Sequence, residues 1–240
     1  MPKVIPTGCD SLDRLLEGGI PTKTVTLIYG EAETGKTTLA LQCVINCARI
    51  GYKSFFIDCD SSFSSKRLLQ IASENYEEVA SQIILARPTN FKEQTHLINE
   101  LEKYITEKFA LIIVDTITSL YRVELGEENK KTFALNRELN QQIALLAQIA
   151  KTKNVSVIIT SQVQNVFLKD EILIEPVATR ILKFWSEVII KLKPTSKSHL
   201  IQVVLEKHMR HTRAESCFIT KKEAGIYDYK SSRLSANKAV

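Results

Sequence analysis

Short apolar runs alternate with longer amphipathic stretches along most of this 240-residue chain. A short amphipathic helical turn at 11–17 is closed by Gly18-Gly19-Ile20-Pro21, and residues 25–29 read as a buried strand that ends at Gly30. Residues 36–49 read as a helix stopped by Gly51, followed by a strand at 54–59, a helix at 64–76, a short strand at 82–86 and a helix at 91–106. A strongly apolar strand at 110–115 ends in Asp115. A polar stretch at 126–130 precedes a long helical pattern at 131–152, in which Leu135, Leu139, Ile143, Leu146 and Ile149 fall near one face. Another strand is expected at 155–160. Alternation of this kind predicts βαβ units and an α/β fold with a mostly parallel central sheet flanked by helices. From residue 187 the pattern changes: 187–193, 199–206 and 215–220 are strand-like and joined by short polar turns, which predicts antiparallel strands added at the sheet edge. No linker divides the chain, so residues 1–229 are expected to form one domain, with 230–240 as a frayed tail.

Composition adds little but excludes some classes. Apolar residues make up 44% and charged residues 25%, enough to bury one sizeable core. The net charge of +5 permits nucleic-acid binding without implying it. Five cysteines in no framework spacing predict reduced thiols and a cytosolic setting, with Cys43 and Cys47 packing helix on sheet. No signal peptide is expected at the N-terminus, and no apolar run approaches a membrane span.

The chemistry enters at Gly30-Glu31-Ala32-Glu33-Thr34-Gly35-Lys36-Thr37, a full match to G-x-x-x-x-G-K-[ST]. A chance match in a chain of this length has a probability on the order of one per cent, and the motif follows a strand and opens a helix, as its mechanism requires. The glycines let backbone N–H groups wrap an anion, and the helix N-terminus adds partial positive charge. Lys36 is expected on the β- and γ-phosphates of ATP, and the Thr37 hydroxyl on Mg²⁺. Thr38 opens the same helix. Asp115, at the C-terminal end of its strand, supplies the second magnesium-side group. Two further strand ends carry polar groups: Asp58 and Asp60 after 55–57, and Gln162 after 157–161. Each of these singly suits either a surface polar group closing a strand or a role at the γ-phosphate.

Four stretches resemble the RecA/RadA recombinase superfamily, most closely its archaeal RadB group: 7–20, which begins Thr7-Gly8-Cys9-Asp10-Ser11-Leu12-Asp13; Phe56-Ile57-Asp58-Cys59-Asp60 continuing to Arg67-Leu68; Val114-Asp115-Thr116-Ile117-Thr118-Ser119-Leu120-Tyr121-Arg122; and Leu205-Glu206-Lys207-His208. The resemblance implies a RecA-like ATPase core with ATP at a subunit edge and DNA as the macromolecular ligand. It carries Asp60 over to the position of the family's catalytic Glu, and Gln162 to the Gln that links the γ-phosphate to the DNA loops. It places Arg122 in the first DNA-facing loop.

Departures from the family matter equally. The core starts near Met1, so neither the N-terminal helix-hairpin-helix domain nor the segment that links recombinase subunits is expected. Asp60 is shorter than Glu by one C–C bond, ~1.5 Å. Glu33 adds a negative charge beside Glu31. The segment 163–180, where the second DNA loop is expected, is acidic, lacks Gly and has a single aromatic, Phe167. The basic run with Lys207, His208, Arg210 and Arg213 is expected to face phosphates of DNA or an ATP bound by a neighbouring subunit; His208 and His211 with Cys217 are also candidate metal ligands. The expectation is a cytoplasmic, nucleoid-associated recombination and DNA-repair accessory. It binds ATP and single-stranded, duplex or branched DNA, hydrolyses ATP weakly and performs no strand exchange alone. A RadA-type recombinase, a Holliday-junction resolvase or a second copy are the expected protein partners. A nucleotide-gated scaffold and a signalling ATPase without a DNA role are the alternatives.

Overall fold

The computed structural model describes residues 1–125, 129–168, 171–209 and 214–229, and their side chains except at 129–131, 167–168 and 171–173. In chain order the elements are β1 (Val4–Ile5), α1 (Asp10–Leu15), β2 (Ile20–Pro21), β3 (Val25–Gly30), α2 (Lys36–Arg49), β4 (Lys53–Asp58), α3 (Ser65–Ala72) and α4 (Tyr76–Ser81). Next come β5 (Ile83–Ala86), α5 (Phe91–Glu100), β6 (Phe109–Asp115), α6 (Ser119–Glu124), α7 (Asn129–Lys153), β7 (Ser156–Ser161), β8 (Val163–Leu168) and β9 (Glu171–Pro176). The chain closes with α8 (Thr179–Trp185), β10 (Val188–Pro194), β11 (Leu200–Lys207), β12 (Glu215–Lys222) and β13 (Gly225–Asp228).

Nine strands form one sheet in the order β13-β12-β11-β10-β3-β7-β6-β4-β5. The strands from β10 to β5 run parallel, and β11, β12 and β13 extend the sheet antiparallel beyond β10. The continuous apolar runs follow from burial on both faces. Ile28, Phe56, Ile113, Ile158 and Ile190 pack with α2, α3 and α4 on one side. Their neighbours Leu27, Tyr29, Ile57, Ile112, Val114 and Ile159 pack with α5 and α7 on the other. On α7, Leu135, Leu139, Ile143, Leu146 and Ile149 are all buried, as their spacing predicts.

Several elements differ from the sequence expectations. The strand at 188–194 is parallel to β3, so the antiparallel run begins one strand later. The helix expected at 64–76 breaks at Ser73, which has a φ of 56°, and resumes as α4. Helix α6 occupies a stretch in which no element was expected. Within 163–180 the described residues form β8 and β9, an antiparallel pair, and the start of α8. Strand β13 carries too few apolar residues to show by pattern. It is held by Gln42 of α2, whose buried amide donates to the Ile226 carbonyl and accepts from the Ile226 N–H at 3.0 and 2.8 Å. Asp228, next along β13, accepts from the N–H groups of Asp10 and Ser11 at 3.1 and 2.6 Å and so caps α1. The cysteines are free, and burial pushes the Cys47 thiol up to about 11, which suits a packing role. Among the described residues no helix is long and apolar enough to cross a membrane. The tail at 230–240 lies outside the described residues.

Replacing the fully buried Ile143 by Ala is expected to lower the unfolding free energy by ~2–5 kcal/mol. The same change at Phe133, 74% exposed on the same helix, is expected to move it by no more than about 0.5 kcal/mol. Urea unfolding of the two variants measures the contrast.

Candidate functional site: a phosphate loop at the sheet's C-terminal edge

Strand β3 delivers the chain into the loop at Gly30. A Cβ there would stand 2.3 Å from the Leu192 carbonyl of β10, so only glycine lets the two strands meet this closely. At the other end Gly35 has a φ of 96° and is the N-cap of α2, where no side chain caps the helix. The first N–H groups of α2 therefore stay available for an anion. Between the glycines, the Thr34 hydroxyl donates to the Glu31 carbonyl at 2.8 Å. The Lys36 ammonium folds back onto the carbonyls of Gly30 and Glu31 at 2.9 and 2.7 Å. Burial pushes the Lys36 pKa down, against the pull of Asp115, Asp60 and Glu31.

Asp115 ends β6 fully buried. Its carboxylate accepts from Thr37 at 2.8 Å, Thr160 of β7 at 2.5 Å and Ser62 at 3.2 Å. Burial raises its pKa despite these hydroxyls, and the Asp60 charge raises it further. Such a carboxylate, buried with no ion-pair contact of its own and joined to a hydroxyl at the start of α2, fits a magnesium ion that takes most of its other ligands from phosphate and water. Among the described residues no three His, Cys, Asp or Glu side chains converge as a metal site. Thr37 and Asp115 are the groups that could hold such an ion beside a phosphate ligand.

A cleft of about 460 Å³ brings the sequence candidates together. Gly30, Ala32, Glu33, Lys36 and Thr37 line one wall, and Asp60, Thr116, Gln162 and Val163 the other. Asp60 accepts from the Thr116 hydroxyl at 2.9 Å and from the Ser62 N–H at 3.2 Å. Gln162 accepts from the Arg122 guanidinium of α6 at 2.7 Å, so one side chain touches both the cleft and the expected DNA-facing element. Asp58 takes no part in the cleft. Its buried carboxylate accepts from the N–H groups of Ser62 and Phe63 and from Arg87, fixing the turn after β4.

A second cleft, about 570 Å³, opens on the other side of Lys36 toward Thr38, Arg67 and Lys221. Lys221 of β12 donates to the Glu33 carbonyl, and Arg67 to the Glu223 carbonyl. Glu33 is exposed at the rim shared by the two clefts, with a φ of 62°. A charge cluster lies behind the loop. Tyr29, next to Gly30, donates to Glu206 at 2.7 Å, and Lys183 bridges Glu206 and Glu175 at 3.2 and 2.6 Å. Lys191 of β10 holds the Ile174 carbonyl of β9 at 2.8 Å, so β9 is tied to the strand beside the one that carries the phosphate loop.

Of the remaining candidates, Lys207 directs its ammonium to the Ser186 carbonyl at 2.6 Å, and His208 is 7% exposed. Arg210, Arg213 and His211 lie outside the described residues. Thr160, Ser62, Lys221 and Arg67 were not singled out from sequence. Thr160 closes an apolar strand and was legible by the criterion that found Asp115. Lys221 gives no such signal, since only the sheet order brings it to the loop.

A glycine-bounded loop opening a helix beside a strand-end acid, on a parallel sheet buried on both faces, defines a RecA-like P-loop core. The family model described as Rad51 matches residues 3–229. Similar curated proteins include the "DNA repair and recombination protein RadB" of Methanococcus maripaludis strain C7, 37% identical over 84% of this chain and 90% of that relative. The protein of the same name from Thermococcus kodakarensis is 37% identical over 94% of this chain and 99% of its own length. The solved "Crystal structure of the RadB recombinase" superimposes with a TM-score of 0.81 at 35% identity, covering 95% of this chain and 100% of that one. The chain belongs to the Rad51 family and, within it, to the RadB group.

Asp115 carries a testable sign. A carboxyl group whose pKa is raised on folding favours the folded state most below the ordinary carboxylate range. That contribution is lost as pH rises through the raised value. At neutral pH the buried charge is a cost, so Asp115→Asn is expected to raise the melting temperature without nucleotide while abolishing magnesium-dependent nucleotide binding. A lower melting temperature would contradict this account of the site.

Proposed function

We propose that this protein is a DNA-repair and homologous-recombination accessory that binds ATP with Mg²⁺, binds DNA and hydrolyses ATP slowly. It does not exchange strands alone. The observation that carries the reading is the cleft that gathers Lys36, Thr37, Asp60 and Gln162, with Gln162 joined to Arg122. In this site the loop amides and Lys36 hold the β- and γ-phosphates, and Thr37 and Asp115 orient the cation. Bound magnesium neutralises charge on the phosphates. Asp60 orients the attacking water but is held back by Thr116 and Ser62 and is one methylene short. A misplacement of about 1 Å costs on the order of a hundredfold in rate. Gln162 passes the state of the γ-phosphate to Arg122, which contacts DNA together with Lys207, Arg210 and Arg213. The names of the RadB relatives support DNA repair and recombination as the setting. A RadA-type recombinase and a junction resolvase are the proposed partners, in the cytoplasm at the nucleoid.

Asp60→Glu is expected to raise steady-state ATP hydrolysis by about tenfold or more; a rate within twofold of the parent would remove Asp60 from the mechanism. DNA affinity is expected to fall linearly with salt on a logarithmic scale, with a slope of about −0.7 to −0.9 per phosphate neutralised. Absence of binding to single-stranded, duplex and branched DNA at low salt would exclude the DNA role. If the protein then still altered recombinase activity, the nucleotide-gated scaffold would be the better reading.

A further inference from the structure

Strands β11 to β13 and the end of β10 pack one face on the core, while at the start of β10 Ile189 is buried on the other face as well. Ile190, Leu192, Val203, Leu205, Ile219 and Ile226 point into the α2 layer. The registers put the alternating residues on the opposite face. There Lys193 stands opposite Gln202, and Gln202 opposite Phe218. The Phe218 ring meets that of Tyr229 edge-on, with centroids 6.4 Å apart. One row along, Thr220 is opposite Tyr227, and the Lys222 ammonium lies over the Tyr227 ring at 5.7 Å. Phe218, Tyr227 and Tyr229 are 42, 42 and 39% exposed. Lys193 and Lys222 are exposed beside them.

The acids of these strands do not offset the two lysines. Asp228 faces the other way and caps α1. Glu215 is opposite Leu205, on the core side. Glu206 shares the open face, but Tyr29 and Lys183 take up its carboxylate. The result is a face with three aromatic rings and flanking ammonium groups, and the exposed acid nearest to it, Glu223, lies in the turn between β12 and β13 rather than on the strands.

That combination matches one kind of ligand. Aromatic rings offer flat apolar surface at low entropic cost and stack on any base, while lysines neutralise the phosphates between bases. A duplex keeps its base faces inside its own stack, so only unpaired bases satisfy the rings. The face also adjoins the phosphate loop. Lys193 lines a cleft of about 340 Å³ together with Gly30, Glu31 and Ile174 of β9.

We propose that the open face of β10 to β13 is a stacking platform for single-stranded nucleic acid. Phe218, Tyr227 and Tyr229 take bases, and Lys193 and Lys222 take phosphates. The proposal rests on the DNA-binding reading above and adds a site outside the positions that the reading uses.

The test is fluorescence anisotropy of labelled oligo-dT and of a matching duplex with the full chain, at several salt concentrations. The double variant Phe218→Ala, Tyr229→Ala is expected to weaken oligo-dT binding about tenfold per ring, with the salt slope and duplex binding unchanged. Lys193→Ala with Lys222→Ala is expected to reduce the salt slope by about 0.7 per ammonium removed. In the unaltered protein, bromodeoxyuridine oligonucleotides should photocrosslink to peptides bearing Phe218, Tyr227 or Tyr229, a readout independent of variant folding. Unchanged oligo-dT affinity in both variants, or crosslinks confined to other segments, overturns the platform. A change in sedimentation of the variants with oligo-dT affinity intact also overturns it and assigns the face to a second copy. If the parent protein binds no DNA at all, the DNA-binding reading falls as well; parent binding with unaffected variants removes the platform alone.

Discussion

The buried Asp115 carboxylate is the constraint on which the rest of the site depends. Its three hydroxyl partners come from the start of α2, the end of β7 and the turn after β4. One ionisable group therefore fixes the relative position of three segments far apart in sequence. A buried carboxylate with no ion pair in direct contact is unfavourable, and the hydroxyl donors and the more distant Lys36 offset only part of the cost. The site is thus built at some expense to the fold, and a cation bound beside Thr37 would relieve it. Stability and ligand binding meet in the same few atoms.

The centre of the parallel core was legible because β3, β7, β6 and β4 are buried on both faces and read as apolar runs. The phosphate loop was legible because its residue types follow from the ligand it would hold. The C-terminal strands were harder. In β10, Val188, Ile190 and Leu192 meet α2 while Lys191 and Lys193 face outward. That half-polar pattern looks antiparallel, although the strand's neighbour β3 makes it parallel. β13 was invisible because Gln42, not a row of apolar residues, holds it. The family resemblance places a DNA loop over 163–180, where the structure has the antiparallel pair β8 and β9. Its position comes from Lys183 and Lys191, which no local pattern announces.

At the site, the strand-end rule found Asp115, Asp60 and Gln162, and the structure gathers the last two in one cleft with Lys36 and Thr37. The same rule also raised Asp58, which the structure assigns to a turn held by Arg87. Asp58 and Asp60 are two residues apart, so a strand would turn both side chains the same way. The chain leaves the strand at Asp58, and Ser61 takes a φ of 58°. From there Asp60 swings toward Thr116 while Asp58 stays beneath the turn. Periodicity cannot distinguish two carboxylates when the element ends between them.

The approach of Gly30 to the Leu192 carbonyl has a consequence for how the chain can be divided. The loop, its helix and its strand-end acid all lie within the first 115 residues, and the segment looks self-sufficient. Yet the strand that shapes the loop's entry arrives only at residue 188, and the lysine on Glu33 later still. A chain emerging from the ribosome completes its phosphate site only once Lys221 has been made. An N-terminal fragment would carry the motif without the pocket.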